Sequence, residues 1–207
     1  LLCSEALKEE RANLVTALNL ISGSDDVVSA LFELSDEEFD EIALRPGVIA
    51  WQRTLRTTLA GRSVLAVDGA PLSADSTYLH SLTERKANTP NRIPVSEDDH
   101  WIRAPFGSAI IFEPDSASPD AQAVVTEALR IIECWRPELY AEMRRICRAI
   151  QFVRDPAASP DKIVSFSDNS VPGALFVSVV QGSGLIDPYD LADSLIHEHR
   201  HHDASGS

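Results

Sequence analysis

Asp187-Pro188-Tyr189-Asp190-Leu191-Ala192-Asp193-Ser194-Leu195-Ile196-His197-Glu198-His199-Arg200-His201 carries its own start signal and its own apolar face. Asp187 is an N-cap residue, and Pro188 takes the first helical position, where its missing N–H costs nothing. Leu191, Leu195 and Ile196 then supply a face to bury. The stretch is predicted to be an amphipathic helix whose apolar face is buried on a core.

On such a helix His197 and His201 stand four residues apart, and both imidazoles project from nearly one side, one turn apart. They are the candidate metal ligands. Two neutral imidazoles suit Zn(II), Fe(II) and other borderline cations, so the spacing identifies a site without identifying the metal. Glu198 is the candidate catalytic residue. In a zinc hydrolase it takes a proton from metal-bound water; in an iron site it is a carboxylate behind the ligands or on the ion itself. The pattern also arises by chance, and His199 and His202 make the end of the chain resemble an accidental histidine cluster. A capped, amphipathic helix is what such a tail has no reason to carry. His199 and His202 are expected to point away from the pair, in solvent or behind the ligands. A catalytic centre of this kind takes a third protein ligand. His80, His100 or an upstream acid are candidates; otherwise the ligand lies downstream and the chain is cut short at its C-terminal end.

Outward from the helix, Lys162 to Phe166 and Ala174 to Val180 are rich in Val, Ile and Phe and are predicted strands, separated by the loop Asp168 to Gly173. Pro119 to Cys134 and Pro137 to Val153 are predicted long helices, each opening on proline, and Ser108 to Phe112 a short β-rich run. Thr83 to Asp99 is polar and proline-bearing, a loop or connection between lobes. Nearer the N-terminus, Ser4 to Ile21, Asp25 to Leu34, Ser35 to Leu44 and Gly47 to Ala60 are predicted helices. Ser35 with Glu38 forms a capping box, and Arg45-Pro46-Gly47 punctuates the last join. Arg62 to Val67 is strand-like and closed by the turn Asp68-Gly69. The expected fold is α+β: a mainly helical N-terminal lobe, 1–90, and a mixed lobe, 91–207, whose short strands pack against the helix bearing the metal pair.

Composition limits the partners. With 44% hydrophobic residues, the chain can bury a substantial core as a soluble globular protein. No apolar run reaches the ~20 residues of a membrane helix, so no membrane partner is expected. A net charge of −14 repels a phosphate backbone, which argues against nucleic acid. An acidic surface is compatible with a basic or leader-type peptide, although a solvated face with no partner is the simpler explanation. Three cysteines without CxxC spacing argue against a disulfide framework and a zinc ribbon, and fit a reducing cytoplasm. Cys134 and Cys147 sit among apolar neighbours and are expected to be buried structural thiols. Trp51, Trp101 and Trp135 are expected in the core or at interfaces, since no basic stripe accompanies them. Asn169 and Ser178 lie close to the motif in sequence, with turn or surface roles favoured over a place in the pocket.

The order of these elements resembles a bacterial family, the HEXXH-motif peptide-modification proteins, also described as 2-oxoglutarate-dependent HExxH-type peptide β-hydroxylases. The resemblance rests on Arg45-Pro46-Gly47-Val48-Ile49-Ala50-Trp51, on Val171-Pro172-Gly173-Ala174-Leu175-Phe176-Val177-Ser178, and on Asp187 to Ile196 leading into His197-Glu198-His199-Arg200-His201. Only the last is a sharp motif; the others are similarities of order and composition. The resemblance implies an Fe(II) centre held by His197 and His201, 2-oxoglutarate and O2 as co-substrates, and hydroxylation of a β-carbon in a ribosomally made precursor peptide. Family members run well beyond the motif helix, and this chain departs from them by stopping.

Two other readings stay open. One is a zinc metallopeptidase with Glu198 as general base, although Asp203 to Ser207 lacks the further glycine and histidine of the metzincins. The other is a peptide-binding scaffold with a degenerate metal motif.

Overall fold

The computed structural model describes residues 12–16, 18–19, 25–79, 93, 95, 99–112, 119–155, 157, 159 and 162–204, with the side chains of 25–27 and 201–204 outside that description. The fold is α+β. Helices α1 (Asp25–Glu33), α2 (Asp36–Ala43) and α3 (Pro46–Leu59) follow one another as the sequence predicts. Of the predicted helix Ser4 to Ile21, residues 12–16 and 18 are helical, Asn19 is in a turn, and the remainder lies outside the described residues. The capping box is present: Glu38 N–H donates to Ser35 Oγ at 3.2 Å, and Ser35 N–H donates to Glu38 Oε2 at 2.9 Å.

Leu14, Leu18, Leu31, Phe39, Val48 and Trp51 form the apolar centre of this helical part. Trp51 is fully buried and satisfies its indole N–H on the Asp75 carbonyl at 2.7 Å. Next comes the hairpin β1 (Val64–Leu65) and β2 (Pro71–Leu72), turned at Asp68-Gly69 as predicted. Helix α4 (His100–Arg103) and the 3₁₀ segment Ala104–Ala109 return the chain to the same core, where Trp101 and Ala104 are buried. The hairpin and the 3₁₀ segment are tied together. Asp68 accepts from the amides of Ala70 and Ser108, and Gly107, at φ 56°, leaves no room for a Cβ beside the Asp68 carboxylate.

Beyond the 3₁₀ segment the chain builds a four-stranded sheet, ordered β3 (Ile111–Phe112), β4 (Ala149–Arg154), β6 (Ala174–Val177), β5 (Ser165–Ser167). Strands β4 and β6 run parallel, with Ile150 opposite Leu175, and β3 and β5 close the two edges antiparallel. The sheet is covered on both faces. Ile150, Phe152, Leu175 and Val177 face the helices α5 (Pro119–Trp135) and α7 (Pro188–Ala204). Ala149, Val153, Ala174 and Phe176 face Ile102 and Phe106. On that side the rings of Phe166 and Phe176 stack at 4.7 Å, and Phe106 meets Phe176 edge-on at 4.9 Å.

Several expected boundaries move: the predicted strand Lys162 to Phe166 pairs as Ser165–Ser167, and Arg62 to Val67 pairs only at Val64–Leu65. The predicted helix Pro137 to Val153 ends at Ile146 as α6 (Pro137–Ile146), and its second half is the central strand β4. A strand buried on both faces is a continuous apolar run, and periodicity cannot separate it from a buried helix. Within Ser108 to Phe112 only the last two residues pair as β3. The predicted strand Ala174 to Val180 stops at Val177, and Val180 opens a separate hairpin, β7 (Val180–Gln181) with β8 (Gly184–Leu185). Most of Thr83 to Asp99 lies outside the described residues.

Asp99 joins the helical part to helix α4. It is 7% exposed, accepts from Tyr78 OH at 2.8 Å and caps α4 through Trp101 N–H at 2.9 Å. Gly47 packs so close that a Cβ there would collide with the Asp99 carboxylate and the Tyr78 hydroxyl. Gly47→Ala is therefore expected to lower stability by about 1–3 kcal/mol, although alanine is the better helix former. Chemical denaturation checks the sign.

Burial raises the Asp99 pKa above its usual 3.8, against the lowering effect of Tyr78, the amides of Trp101 and Ile102, and Arg45. The folded state therefore holds this proton to higher pH than the unfolded chain does. The contribution is fully present below 3.8 and is lost as pH rises through the folded pKa. Asparagine also caps helices, so the stability of the protein relative to Asp99→Asn should decline across that window. A pH-independent difference would contradict it.

Candidate metal centre

Helix α7 forms where the sequence places it. Asp187 Oδ1 accepts from Tyr189 N–H at 2.8 Å, and Leu191 N–H donates to the Asp187 carbonyl at 3.0 Å. Leu191 and Leu195 are fully buried and Ile196 partly so, against α5 and the sheet. The two leucines contribute about 2 kcal/mol each by leaving water, which anchors the helix that carries the histidines.

The helix stays unbroken through the whole motif. His197 lies on its solvent side, and His201 follows one turn later in the backbone, with its side chain outside the described residues. Two imidazoles one turn apart on a continuous, anchored helix are the donor set of a borderline divalent cation, so these residues fit such an ion. Among the described residues no three His, Cys, Asp or Glu side chains group closely enough to hold one, and the His201 side chain is not among those. His100, a candidate third ligand, is exposed with its ring edge-on to Trp101 at 5.8 Å. His80 and His202 lie outside the described residues, the latter for its side chain.

The two residues between the histidines that face inward are both buried and both held. Glu198 is 7% exposed and accepts from Ser165 Oγ on strand β5 at 2.9 Å. His199, expected in solvent or behind the ligands, is 1% exposed and so is not solvated. Its Nδ1 meets Cys147 Sγ at 3.7 Å and its Nε2 meets Glu142 Oε1 on α6 at 3.3 Å. Burial pushes the Cys147 thiol up to about 12, with the Glu142 charge adding to the shift. Both ring nitrogens of His199 thus have a polar neighbour, and the protonated Cys147 thiol is a donor available to Nδ1.

Ser165, Glu142 and Cys147 were not singled out as site residues by sequence. Ser165 and Glu142 carry no motif, and their approach to α7 spans 33 and 57 residues of chain. Ser178 is buried and fastens the strand ends, its Oγ accepting from Val164 N–H at 2.9 Å, while Asn169 is exposed and accepts from Arg53 through its carbonyl. Ser178, expected in a turn or at the surface, is thus buried. Cys134, expected to be buried, is exposed on the last turn of α5, and Trp135, expected in the core or at an interface, is 76% exposed and so outside the core. Both belong to the outer face of α5, whose inner face already fills the core with Val125, Ala128 and Ile132.

In a Cys3→Ser background, a thiol reagent should label Cys134 of the native protein rapidly and Cys147 only on unfolding. Two equally fast thiols in the native state would contradict the buried Cys147–His199 contact.

No helix among the described residues is long and apolar enough to cross a membrane. No protein-family model and no curated protein matches the sequence.

Proposed function

We propose that the chain is a metal-dependent peptide hydroxylase of the Fe(II)/2-oxoglutarate type, in which His197 and His201 hold the ion. The observation that carries this reading is the course of α7: one continuous helix, buried through Leu191 and Leu195, that offers His197 outward while Glu198 and His199 are fixed inward. When bound, such a metal with 2-oxoglutarate and O2 supplies the oxidising power for inserting oxygen at an unactivated β-carbon. The chain's own residues hold and orient. Glu198 serves in this reading as a carboxylate behind the ligands, and the Ser165 hydroxyl that donates to its Oε1 fixes its direction. The resemblance of the motif and of the segments before it to the peptide β-hydroxylases supplies the substrate class, a ribosomally made precursor peptide, and the three cysteines without CxxC spacing fit a cytoplasmic setting. The net charge of −14 is compatible with a basic peptide partner.

Anaerobic loading with Fe(II), followed by titration with 2-oxoglutarate, is expected to produce a visible metal-to-ligand charge-transfer band that His197→Ala abolishes. Stoichiometric Zn(II) binding without such a band, with peptide cleavage that Glu198→Gln eliminates, would give the reading to a zinc peptidase instead. Peptide binding that survives His197→Ala with no metal bound in either protein would leave a scaffold.

A further inference from the structure

We infer that Ser165 and Glu142 are positioning residues of the metal centre, acting through Glu198 and His199 to set the direction in which α7 presents His197. The inference rests on the metal-site reading above. Successive helical residues point about 100° apart, so Glu198 and His199 leave the helix toward different neighbours. Glu198 is held by the edge strand β5 through Ser165 at 2.9 Å, and His199 by α6 and the residue next after it, through Glu142 at 3.3 Å and Cys147 at 3.7 Å. Between these two grips runs the aliphatic stripe Leu191 and Leu195.

Aliphatic packing resists separation of the helix from its bed but is weakly directional, so the stripe alone permits α7 to roll by small repacking. A roll of about 10° carries a side-chain donor roughly 6 Å from the axis through about 1 Å. Metal–ligand bonds tolerate only ~0.2 Å. Hydrogen bonds are directional, and one on each flank of the stripe opposes rolling in both senses. Neither Ser165 nor Glu142 is itself placed on the ion, and both lie on elements that the core already holds.

Co(II) titration of the full chain tests this, with visible d–d bands and the dissociation constant as readouts and the thermal midpoint as a check on folding. Ser165→Ala and Glu142→Ala are each expected to weaken Co(II) binding roughly tenfold and to shift the bands. Ser165→Thr keeps the hydroxyl and Glu142→Gln keeps an acceptor, so both should restore the wild-type spectrum. A role confined to stability would lower the thermal midpoint and leave the spectrum unmoved, which overturns the inference. Wild-type bands that disappear in His197→Ala but are unchanged in both alanine variants reject the positioning role and leave the metal site standing. Absence of any His197-dependent Co(II) binding removes the metal reading and this inference with it.

Discussion

The burial of α7 between α5 and the sheet is the constraint on which the rest of the molecule depends. Leu191 and Leu195 are removed from water completely, and they pack against the same cluster that holds Ile132 of α5 and Leu175 and Val177 of the sheet. That contact unites three layers that are distant in sequence. Without it, β4 and β6 would expose a whole face of Ile150, Phe152, Leu175 and Val177, and a parallel pair is stable only when both faces are covered.

Energy and direction come from different groups along this helix. The two leucines together contribute about 4 kcal/mol of transfer free energy, whereas each polar contact of Glu198 or His199 adds about 1 kcal/mol net. Polar groups are nevertheless costly to bury without partners, so Glu198 and His199 admit few placements. Ser165 meets one and the pair Cys147 and Glu142 meets the other. Glu198 and His199 are thereby fixed toward the interior, while His197 and Arg200 face solvent.

A similar division holds at the join between the helical part and the sheet. Asp99 lies buried between Tyr78, the first turn of α4 and the close-packed Gly47, and Asp68 reaches from the hairpin to Ser108. These carboxylates are placed where backbone N–H groups would otherwise lack acceptors. On the far face of the sheet, Phe106, Phe112, Phe166 and Phe176 fill the space with offset and edge-on contacts. The strand β4 thus has both faces occupied by side chains from widely separated parts of the chain.

Local chemistry made several elements legible in the sequence itself. Capping at Ser35 and Asp187, proline at the first position of α5, α6 and α7, the Asp68-Gly69 turn and the apolar stripe of α7 are decided within a few residues, and they occur where the sequence places them. The α+β class and the spacing of His197 and His201 along one helix arise from the same short-range signals. What only the tertiary structure decided depends on neighbours far away in the chain. Ala149 to Arg154 could be assigned as a strand only once both of its faces were seen to be covered, since uniform burial erases the period. Cys134 and Trp135 are exposed because the inner face of α5 had already filled the core. The inward turn of Glu198 and His199 required Ser165, Cys147 and Glu142, which approach from 33, 52 and 57 residues away. A motif specifies which side chains a helix carries; which of them face the core is set by the surface on which that helix comes to rest.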